Sequence, residues 1–281
     1  AEDWMRRWMG RAAYETIFQP LLSGKFGPAY PQVPMSWLWA RIHSRTPKLM
    51  YFEGGFQAFA DALLEAGLRR GAELKLATPV TGIRRLDGGR LGLTADGTES
   101  AFDRVIWTGA PHQLAAVTPD LPRDYLGGLG SLPYLGAIVA VLVLDRPFLD
   151  QVYWLSMDKR EFPFLACVEH TNFMDRAHYG GDHLLYLGDY LPADHPSFAL
   201  SDEALLASWL TALPRINPAF SPDWVKERFV SRAAYAQPVV DRGFSKRLPP
   251  LPTPMDGLFL ASMGQVYPWD RGTNFAVEIG R

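Results

Sequence analysis

The sequence has 281 residues, of which 48% are hydrophobic, and its formal net charge at pH 7 is −2. This size allows a large core or two domains, and the nearly balanced charge excludes an electrostatic case for a nucleic-acid partner. Cys167 is the single cysteine, which excludes an intrachain disulfide. Its apolar neighbours predict a buried, unreactive thiol in a reducing compartment, which we take to be the cytoplasm. No apolar run approaches the roughly 18 residues that a membrane-spanning helix needs.

The first part of the chain predicts helices separated by one loop. Apolar residues over 3–23 have roughly helical spacing, and Pro20 should break or kink this helix near its end. Glycine and proline are frequent over 24–34, which is typical of a loop, and 35–45 indicates a short helix. The strongest helix is predicted over 54–68, where apolar residues recur on one face at steps of three and four.

Strand patterns follow this helix. They cover 73–78, 80–86, 91–94 and 102–108. Two sequences between them, Asp87-Gly88-Gly89 and Asp96-Gly97, have the composition of hairpin turns. These patterns predict a small β-meander.

The middle and end of the chain contain strands with few helices between them. Strand candidates are 137–144, 152–156, 164–169, 184–190, 226–235 and 258–262. Helices are predicted at 202–213 and from 273 to the last residue. Such a run of strands favours a mainly antiparallel sheet with helices on one face, which is an α+β architecture.

Local motifs assign no catalytic residue and no metal ligand. Gly128-Leu129-Gly130 imitates the start of the dinucleotide-binding fingerprint, but a strand is predicted after it where a helix is needed, so we interpret these glycines as turn residues. His170, His178 and His183 have acidic neighbours but match no metal-binding spacing, and we interpret them as polar loop residues. Neither a P-loop nor the nucleophile elbow of a serine hydrolase is present.

A larger pattern carries a resemblance to a known family. Its parts are Tyr51-Phe52-Glu53-Gly54-Gly55-Phe56, the helix to Leu68, Gly71, Pro79-Val80-Thr81-Gly82-Ile83, and the run from Phe102 to Pro111. In this order they resemble the middle portion of flavin-containing amine oxidases, phytoene desaturases and protoporphyrinogen oxidases. The segments 257–261 and 272–280 resemble the strand and helix that return to the flavin in that family. The segments 14–27 and 267–272 are similar to bacterial protoporphyrinogen oxidase-like proteins.

The resemblance implies an α+β fold with a mainly antiparallel substrate-domain sheet and flanking helices. It also implies C-terminal pieces of an FAD-binding α/β domain whose N-terminal Rossmann part is missing. Residues 1–53 would form the helical part of the substrate domain and 116–250 its remainder. Residues 54–115 would form a β-meander and helix of the FAD-binding domain, and 251–281 its C-terminal strand and the start of a helix. The implied cofactor is FAD, which such a fragment is expected neither to retain nor to use alone.

The resemblance also implies site residues. The FAD-binding positions would be Val80 at the adenine end, Thr108, Gly109 and Ala110 at a tight turn beside the nucleotide, and Asn274, Phe275 and Ala276 beside the flavin ring. The candidate walls of the substrate pocket are Tyr51, Phe52, Tyr153, Trp154, Tyr267 and Trp269. Asp270-Arg271 would either recognise a polar substrate group or fix the last loop. Many relatives carry Ala-Gly-Asp or Ala-Gly-Glu after the last strand, whereas this chain has Ala261-Ser262-Met263-Gly264 and departs from the usual acidic contact with the flavin.

The leading hypothesis is an FAD-dependent oxidoreductase that transfers a hydride from an unidentified small-molecule substrate to the flavin. One alternative is a flavin-dependent sugar mutase of the UDP-galactopyranose mutase type, which shares the architecture and catalyses no net redox change. Another is a fragment without activity that self-associates through an exposed apolar surface. The sequence leaves peripheral membrane contact open without supporting it, and it does not identify the electron acceptor.

Overall fold

The computed structural model describes residues 1–46 and 48–281, which form two compact units. Unit 1 consists of Ala1–Val33, Leu49–Ala58 and Tyr134–Val239. Unit 2 consists of Pro34–Lys48, Phe59–Pro133 and Val240–Arg281. The predicted assignment of segments to a substrate domain and an FAD-binding domain stays a prediction.

The helices and strands follow one another in a mixed order. The α-helices are α1 (Glu2–Trp8), α2 (Arg11–Ala13), α3 (Gln19–Phe26), α4 (Met35–His43), α5 (Gly55–Leu68), α6 (Pro111–Val117), α7 (Arg123–Gly130), α8 (Asp202–Leu210) and α9 (Thr273–Gly280). The strands are β1 (Val80–Arg85), β2 (Leu91–Ala95), β3 (Thr98–Phe102), β4 (Val105–Trp107), β5 (Tyr134–Leu144), β6 (Trp154–Ser156), β7 (Ala166–Glu169), β8 (His183–Leu191), β9 (Val225–Pro238) and β10 (Leu258–Leu260).

Unit 1 contains a five-stranded antiparallel sheet in the order β6-β7-β8-β5-β9. In β5, buried residues alternate with half-buried ones from Ile138 to Leu144, as period-two side-chain alternation requires of a strand with one core face. The buried set packs against α8, whose Leu205, Leu206 and Trp209 join the same core. This sheet with helices beside it confirms the predicted α+β class.

Unit 2 contains two smaller sheets. The antiparallel sheet β1-β2-β3 forms a β-meander as predicted, and it turns at Gly88 and at Asp96-Gly97, all of which have positive φ. Its third strand, β3, was not predicted, because the strand predicted over 102–108 corresponds mainly to β4 of the other sheet. The second sheet is the parallel pair β4 and β10. Leu91, Leu114 and Leu258 belong to one buried core in this unit. Both predicted FAD-domain strands near positions 105 and 258 therefore lie in the same small parallel sheet.

The N-terminal helices depart from the sequence prediction. Gly10, with φ of 87°, separates α1 from α2, and a π-helical turn at Tyr14–Phe18 leads directly into α3. The chain stays helical beyond Pro20, which lies just after the junction between the π-helical turn and α3. The predicted loop over 24–34 is instead the end of α3 followed by a 3₁₀ helix at Gly27–Gln32.

Two further predictions in the 73–130 region are corrected, and two helices there were missed. Residues 73–78 form no strand, and Ala77 there adopts a positive φ of 52°. Helices α6 and α7 were not predicted, although Pro111 occupies the first turn of α6, which is a favoured place for proline. The glycines of Gly128-Leu129-Gly130 lie inside α7 and not in a turn.

Cys167 has the environment that the sequence predicts. Its side chain is fully buried in the core beside β5 and β8, and burial raises the pKa of its thiol to about 12. A thiol that stays protonated at neutral pH is a poor nucleophile. The prediction that this cysteine is buried is confirmed.

Candidate functional site

The two parallel strands of unit 2 end side by side. Trp107 of β4 pairs with Leu260 of β10, and the N–H of Ala261 then donates to the carbonyl of Trp107 over 2.9 Å. The segment 108–110 therefore leaves the sheet at the same edge as 261–262. Ligands of open parallel sheets bind outside this carboxyl edge.

Side-chain hydrogen bonds from Trp107 and Gln113 hold the turn 108–110 at this edge. The indole Nε1 of Trp107 donates to the carbonyl of Ala110 over 3.2 Å, and the N–H of Ala110 donates to Oε1 of Gln113 over 3.0 Å. A Cβ on Gly109 would lie 2.9 Å from both the Gln113 amide oxygen and the Trp107 indole nitrogen, so the turn has no room for a side chain there. Thr108 is exposed. A short, fixed turn with little side-chain bulk suits the close approach of a nucleotide cofactor.

The segment 261–264, which lacks the acid that many relatives carry there, forms a turn held by Ser262. Ser262 is buried, and its Oγ accepts the N–H of Gly264 over 3.1 Å. Its own N–H donates to Oε1 of Gln265 over 2.7 Å, which completes a capping box of a short 3₁₀ helix. Ser262 thus closes a turn and offers no negative charge at the position where many relatives carry an acid.

The C-terminal part of unit 2 brings several predicted residues together. The rings of Trp269 and Phe275 are stacked with centroids 6.2 Å apart and planes at 11°. Trp39 of α4 extends the group, with its ring centroid 6.0 Å from that of Trp269. The hydroxyl of Tyr267 lies 2.7 Å from Oγ of Ser36. An open cavity of about 230 Å³ is lined by Gln265, Val266, Tyr267, Trp269, Phe275, Glu278 and Ile279.

The charged residues after Trp269 fix this loop. Asp270 pairs with Arg41 of α4 over 3.4 Å and accepts the N–H of Arg271 over 3.1 Å. Of the two interpretations of Asp270-Arg271, these contacts favour the one in which the acid holds the loop. Sequence inspection missed α4 as the partner of this loop, because 226 residues or more separate Ser36, Trp39 and Arg41 from it.

The other predicted cofactor positions are spread over unit 2. Asn274 and Ala276 are exposed in the first turn of α9, where Gly272 precedes the helix and supplies no side-chain cap. Val80 begins β1 opposite Ala95 and packs partly against the buried core. The assignment of all seven positions to FAD binding stays a prediction.

Three of the predicted substrate-pocket residues lie in an aromatic cluster of unit 1. The ring centroid of Tyr51 is 5.3 Å from that of Phe56 and 4.9 Å from that of His170, and Phe52 also contacts Phe56. Tyr153 joins through Phe173. Trp154, next to Tyr153, is 54% exposed on the edge strand β6. These residues belong to unit 1, whereas Tyr267 and Trp269 belong to unit 2.

His170 is the centre of this cluster, and only its acidic and histidine neighbours in the sequence drew attention to it. Its ring contacts Tyr51, Tyr179 and Tyr186, and its Nε2 lies 2.7 Å from the Tyr179 hydroxyl. His170 is buried and His183 begins β8, whereas His178 is exposed, so the interpretation of all three histidines as polar loop residues is wrong for His170 and His183. Among residues 1–46 and 48–281, no group of three His, Cys, Asp or Glu side chains could hold a metal ion.

Burial of His170 predicts a pH dependence of stability. Burial lowers the pKa of this imidazole below its usual value, so the fold favours the neutral ring. The stability that the neutral ring contributes is present above the pKa of the unfolded chain, about 6.5, and is lost as the pH falls through the lower folded pKa. We expect wild-type protein to lose more unfolding free energy than His170→Phe between about pH 7 and pH 5. Urea titrations at both pH values measure this, and equal losses would contradict it; His112, whose pKa burial also lowers, is retained in both proteins.

Comparisons with known proteins converge on one family. The sequence model of the family described as flavin containing amine oxidoreductase matches residues 10–268. A structure from Exiguobacterium sp. 255-15, provisionally described as a protoporphyrinogen oxidase, has a TM-score of 0.75 at 21% identity and is matched over 98% of this chain and 64% of its own. An oxidoreductase from Methanosarcina mazei has a TM-score of 0.70 at 19% identity, over 94% of this chain and 62% of its own. Reduced UDP-galactopyranose mutase has a TM-score of 0.70 at 14% identity, and the match covers 88% of this chain and 57% of the mutase chain.

The three solved structures share little sequence identity with this chain, and each is longer than it. At such identities the solved structures show a shared fold. The chain spans less than two thirds of the length of each of these three structures. No curated protein matches the sequence.

Proposed function

Because this chain belongs to the family of flavin-containing amine oxidoreductases, we propose that it forms part of an FAD-dependent oxidoreductase that transfers a hydride from a small molecule to the flavin. The flavin would supply the redox chemistry, and the chain would supply position, polarity and exclusion of water. We further propose that the enzyme works in the cytoplasm. The substrate and the electron acceptor are not assigned.

The observation that carries this proposal is the common carboxyl edge of β4 and β10. Two turns of little bulk, 108–110 and 261–262, leave the sheet there, and the hydrogen bond from Ala261 to Trp107 holds them together. This is the geometry at which open parallel sheets bind nucleotides. The turn fits a cofactor, because its glycine has no space for a side chain and its first residue is exposed.

The remaining predicted residues would act around the flavin ring. The N–H groups in the first turn of α9, at Thr273 and Asn274, would stabilise negative charge on a reduced ring. Trp269 and Phe275 would provide a flat apolar wall that excludes water. Since Ser262 is occupied as a helix cap, the polar chain of the cofactor would depend on backbone donors where many relatives use an acid.

The parallel pair also favours a missing partner sheet. Parallel strands in α/β folds are normally covered on both faces, yet Ile106 in β4 is 65% exposed. Helix α5 has an apolar composition and no buried residue. We propose that an N-terminal dinucleotide-binding segment of a longer protein covers these surfaces and completes the FAD site. The chain without it is expected to be inactive and to self-associate through the exposed apolar side chains.

Mutase chemistry is the second hypothesis, and no contact among the residues that the structure describes favours it over redox chemistry. The likeness to UDP-galactopyranose mutase rests on fold at 14% identity. Fold alone does not specify a reaction, because one architecture serves several chemistries.

The visible absorption spectrum tests the proposal. We expect flavin bands after gel filtration of a protein in which an N-terminal dinucleotide-binding segment precedes this chain, and none for the 281 residues alone. If neither protein takes up flavin in the presence of excess FAD, the proposal is wrong. If the longer protein binds FAD but converts a nucleotide sugar only when its flavin is reduced, the mutase hypothesis replaces the oxidoreductase one.

A further inference from the structure

Four tyrosines of unit 1 belong to the aromatic cluster of His170, and we call them the tyrosine quartet: Tyr51, Tyr153, Tyr179 and Tyr186. The ring centroid of His170 lies 4.9 Å from that of Tyr51, 5.3 Å from that of Tyr179 and 5.5 Å from that of Tyr186. Tyr153 joins through Phe173, whose ring contacts both Tyr51 and Tyr153. The quartet therefore brings four phenol groups to one place in the fold.

The hydroxyls of the tyrosine quartet differ in their hydrogen bonding. The Tyr179 hydroxyl lies 2.7 Å from Nε2 of His170, which orients it. Within the described part of the chain, the hydroxyls of Tyr51, Tyr153 and Tyr186 have no hydrogen-bond partner. None of these three hydroxyls is fully buried, so a ligand can reach each of them. Three phenol donors therefore stay available beside one imidazole.

The quartet hydroxyls are protonated at neutral pH and close enough to influence one another. Burial raises the pKa of Tyr153, Tyr179 and Tyr186, and the nearby Tyr51 raises the pKa of each further. A phenol whose pKa lies above its ordinary value near 10 keeps its proton at pH 7 and donates hydrogen bonds. Burial lowers the pKa of His170, so the imidazole between them is neutral. The quartet is thus a group of neutral O–H donors.

The acid that adjoins the cluster in the sequence is used elsewhere. Oε2 of Glu169 accepts two backbone N–H groups, and its Oε1 accepts the hydroxyl of Thr171. Among residues 1–46 and 48–281, no carboxylate forms a hydrogen bond with the quartet. A cationic ligand would therefore find no paired acid there, whereas a ligand with several lone pairs would satisfy the donors.

From this excess of donors we infer that the tyrosine quartet binds the carboxylate group of a small aromatic acid. The two oxygens of a carboxylate offer about four lone-pair sites, so one such group can accept from all three available hydroxyls. The neighbouring rings of Phe56 and Phe173 suit the aromatic body of the ligand. The inference deepens the proposed function, because it names a class of substrate, and it rests on that function only in treating the acid as the substrate.

Fluorine NMR of 4-fluorobenzoate tests the quartet directly. We expect the 281-residue chain to bind this acid at least about tenfold more tightly than 4-fluorobenzylamine, which has the same ring and a positive charge. Tyr153→Phe and Tyr186→Phe each keep the ring and remove one donor. Each should weaken binding of 4-fluorobenzoate about tenfold, as expected for a hydrogen bond to a charged group. The measurement needs no flavin, so its failure is distinct from that of the proposed function, which the absorption spectrum tests.

Tyr235→Phe is the matched control, because it removes the hydroxyl of an exposed tyrosine on β9 of the same unit, outside the quartet. It should bind 4-fluorobenzoate like the wild type, and circular dichroism should show the same fold for all three variants. Absent binding, equal affinity for acid and amine, or unchanged affinity in Tyr153→Phe and Tyr186→Phe would overturn the inference. So would loss of binding in the protein in which a dinucleotide-binding segment precedes this chain, because that segment would then occupy the donors.

Discussion

Replacing Glu169 by alanine should lower the free energy of unfolding by about 3–5 kcal/mol. The side chain of Glu169 is completely buried at the end of β7, and Oε2 accepts the N–H groups of Phe148 and Leu149 over 3.0 and 3.2 Å. Its other oxygen accepts the hydroxyl of Thr171 over 2.8 Å. One carboxylate thus satisfies two backbone donors of the loop after β5 and ties that loop to β7.

The expected loss of unfolding free energy follows from the N–H donors that alanine leaves without a partner. Two buried N–H donors would lose their partner, and each unsatisfied buried group costs about 1–3 kcal/mol. Urea unfolding followed by circular dichroism measures the change. Glu161→Ala is a suitable control, because Glu161 forms an exposed ion pair with Arg215, and its loss should cost less than about 1 kcal/mol. Similar losses in the two variants would show that the buried carboxylate does not hold the loop.

The sequence predicted elements well where local pattern and tertiary environment agree. Strand β5 was predicted because its residues are apolar and bounded by Pro133 and Asp145, and it lies between β8 and β9 in the larger sheet. The β-meander was predicted from turn chemistry, and its glycines do take the positive φ that such turns need. In both cases the information lies within a few neighbouring residues.

Predictions failed where the decisive contact is remote or where a signal has two meanings. Glycine in 128–130 indicated a turn, but these residues end helix α7, which a proline precedes and whose Leu129 packs in the core of unit 2. Apolar residues at 73–78 indicated a strand, yet no neighbouring strand pairs with them. Tertiary pairing decides such segments more than propensity does.

The residues of the candidate site show the same difference between local pattern and remote contact. Thr108, Gly109 and Ala110 could be singled out because a strand followed by small residues is a local pattern. The roles of Ser36, Trp39 and Arg41 could not be predicted, because these residues meet the loop at 267–270 only through the folded chain. His170 likewise gains its aromatic surroundings from residue 51 and from strand β8.

Thr108→Trp should weaken FAD binding by about 100-fold or more in a protein that carries the dinucleotide-binding segment. Thr108 is exposed at the carboxyl edge of β4, so an indole ring can be accommodated by the fold while it fills the space that a cofactor would need. Gly109 is less suitable for this test, since any side chain there would collide with Trp107 and Gln113 and disturb the turn itself.

Thr98→Trp provides the matched control for this expectation. Thr98 is an exposed threonine at the start of β3 in the same unit, paired with Ala95 and remote in topology from the parallel strands. Isothermal titration with FAD, together with thermal unfolding of both variants, separates loss of binding from loss of folding. Thr98→Trp should bind FAD like the wild type, and both variants should unfold at similar temperatures. Unchanged FAD affinity in a folded Thr108→Trp protein would mean that the cofactor does not reach the carboxyl edge of β4 and β10, because an added ring of this size cannot share that space with a nucleotide.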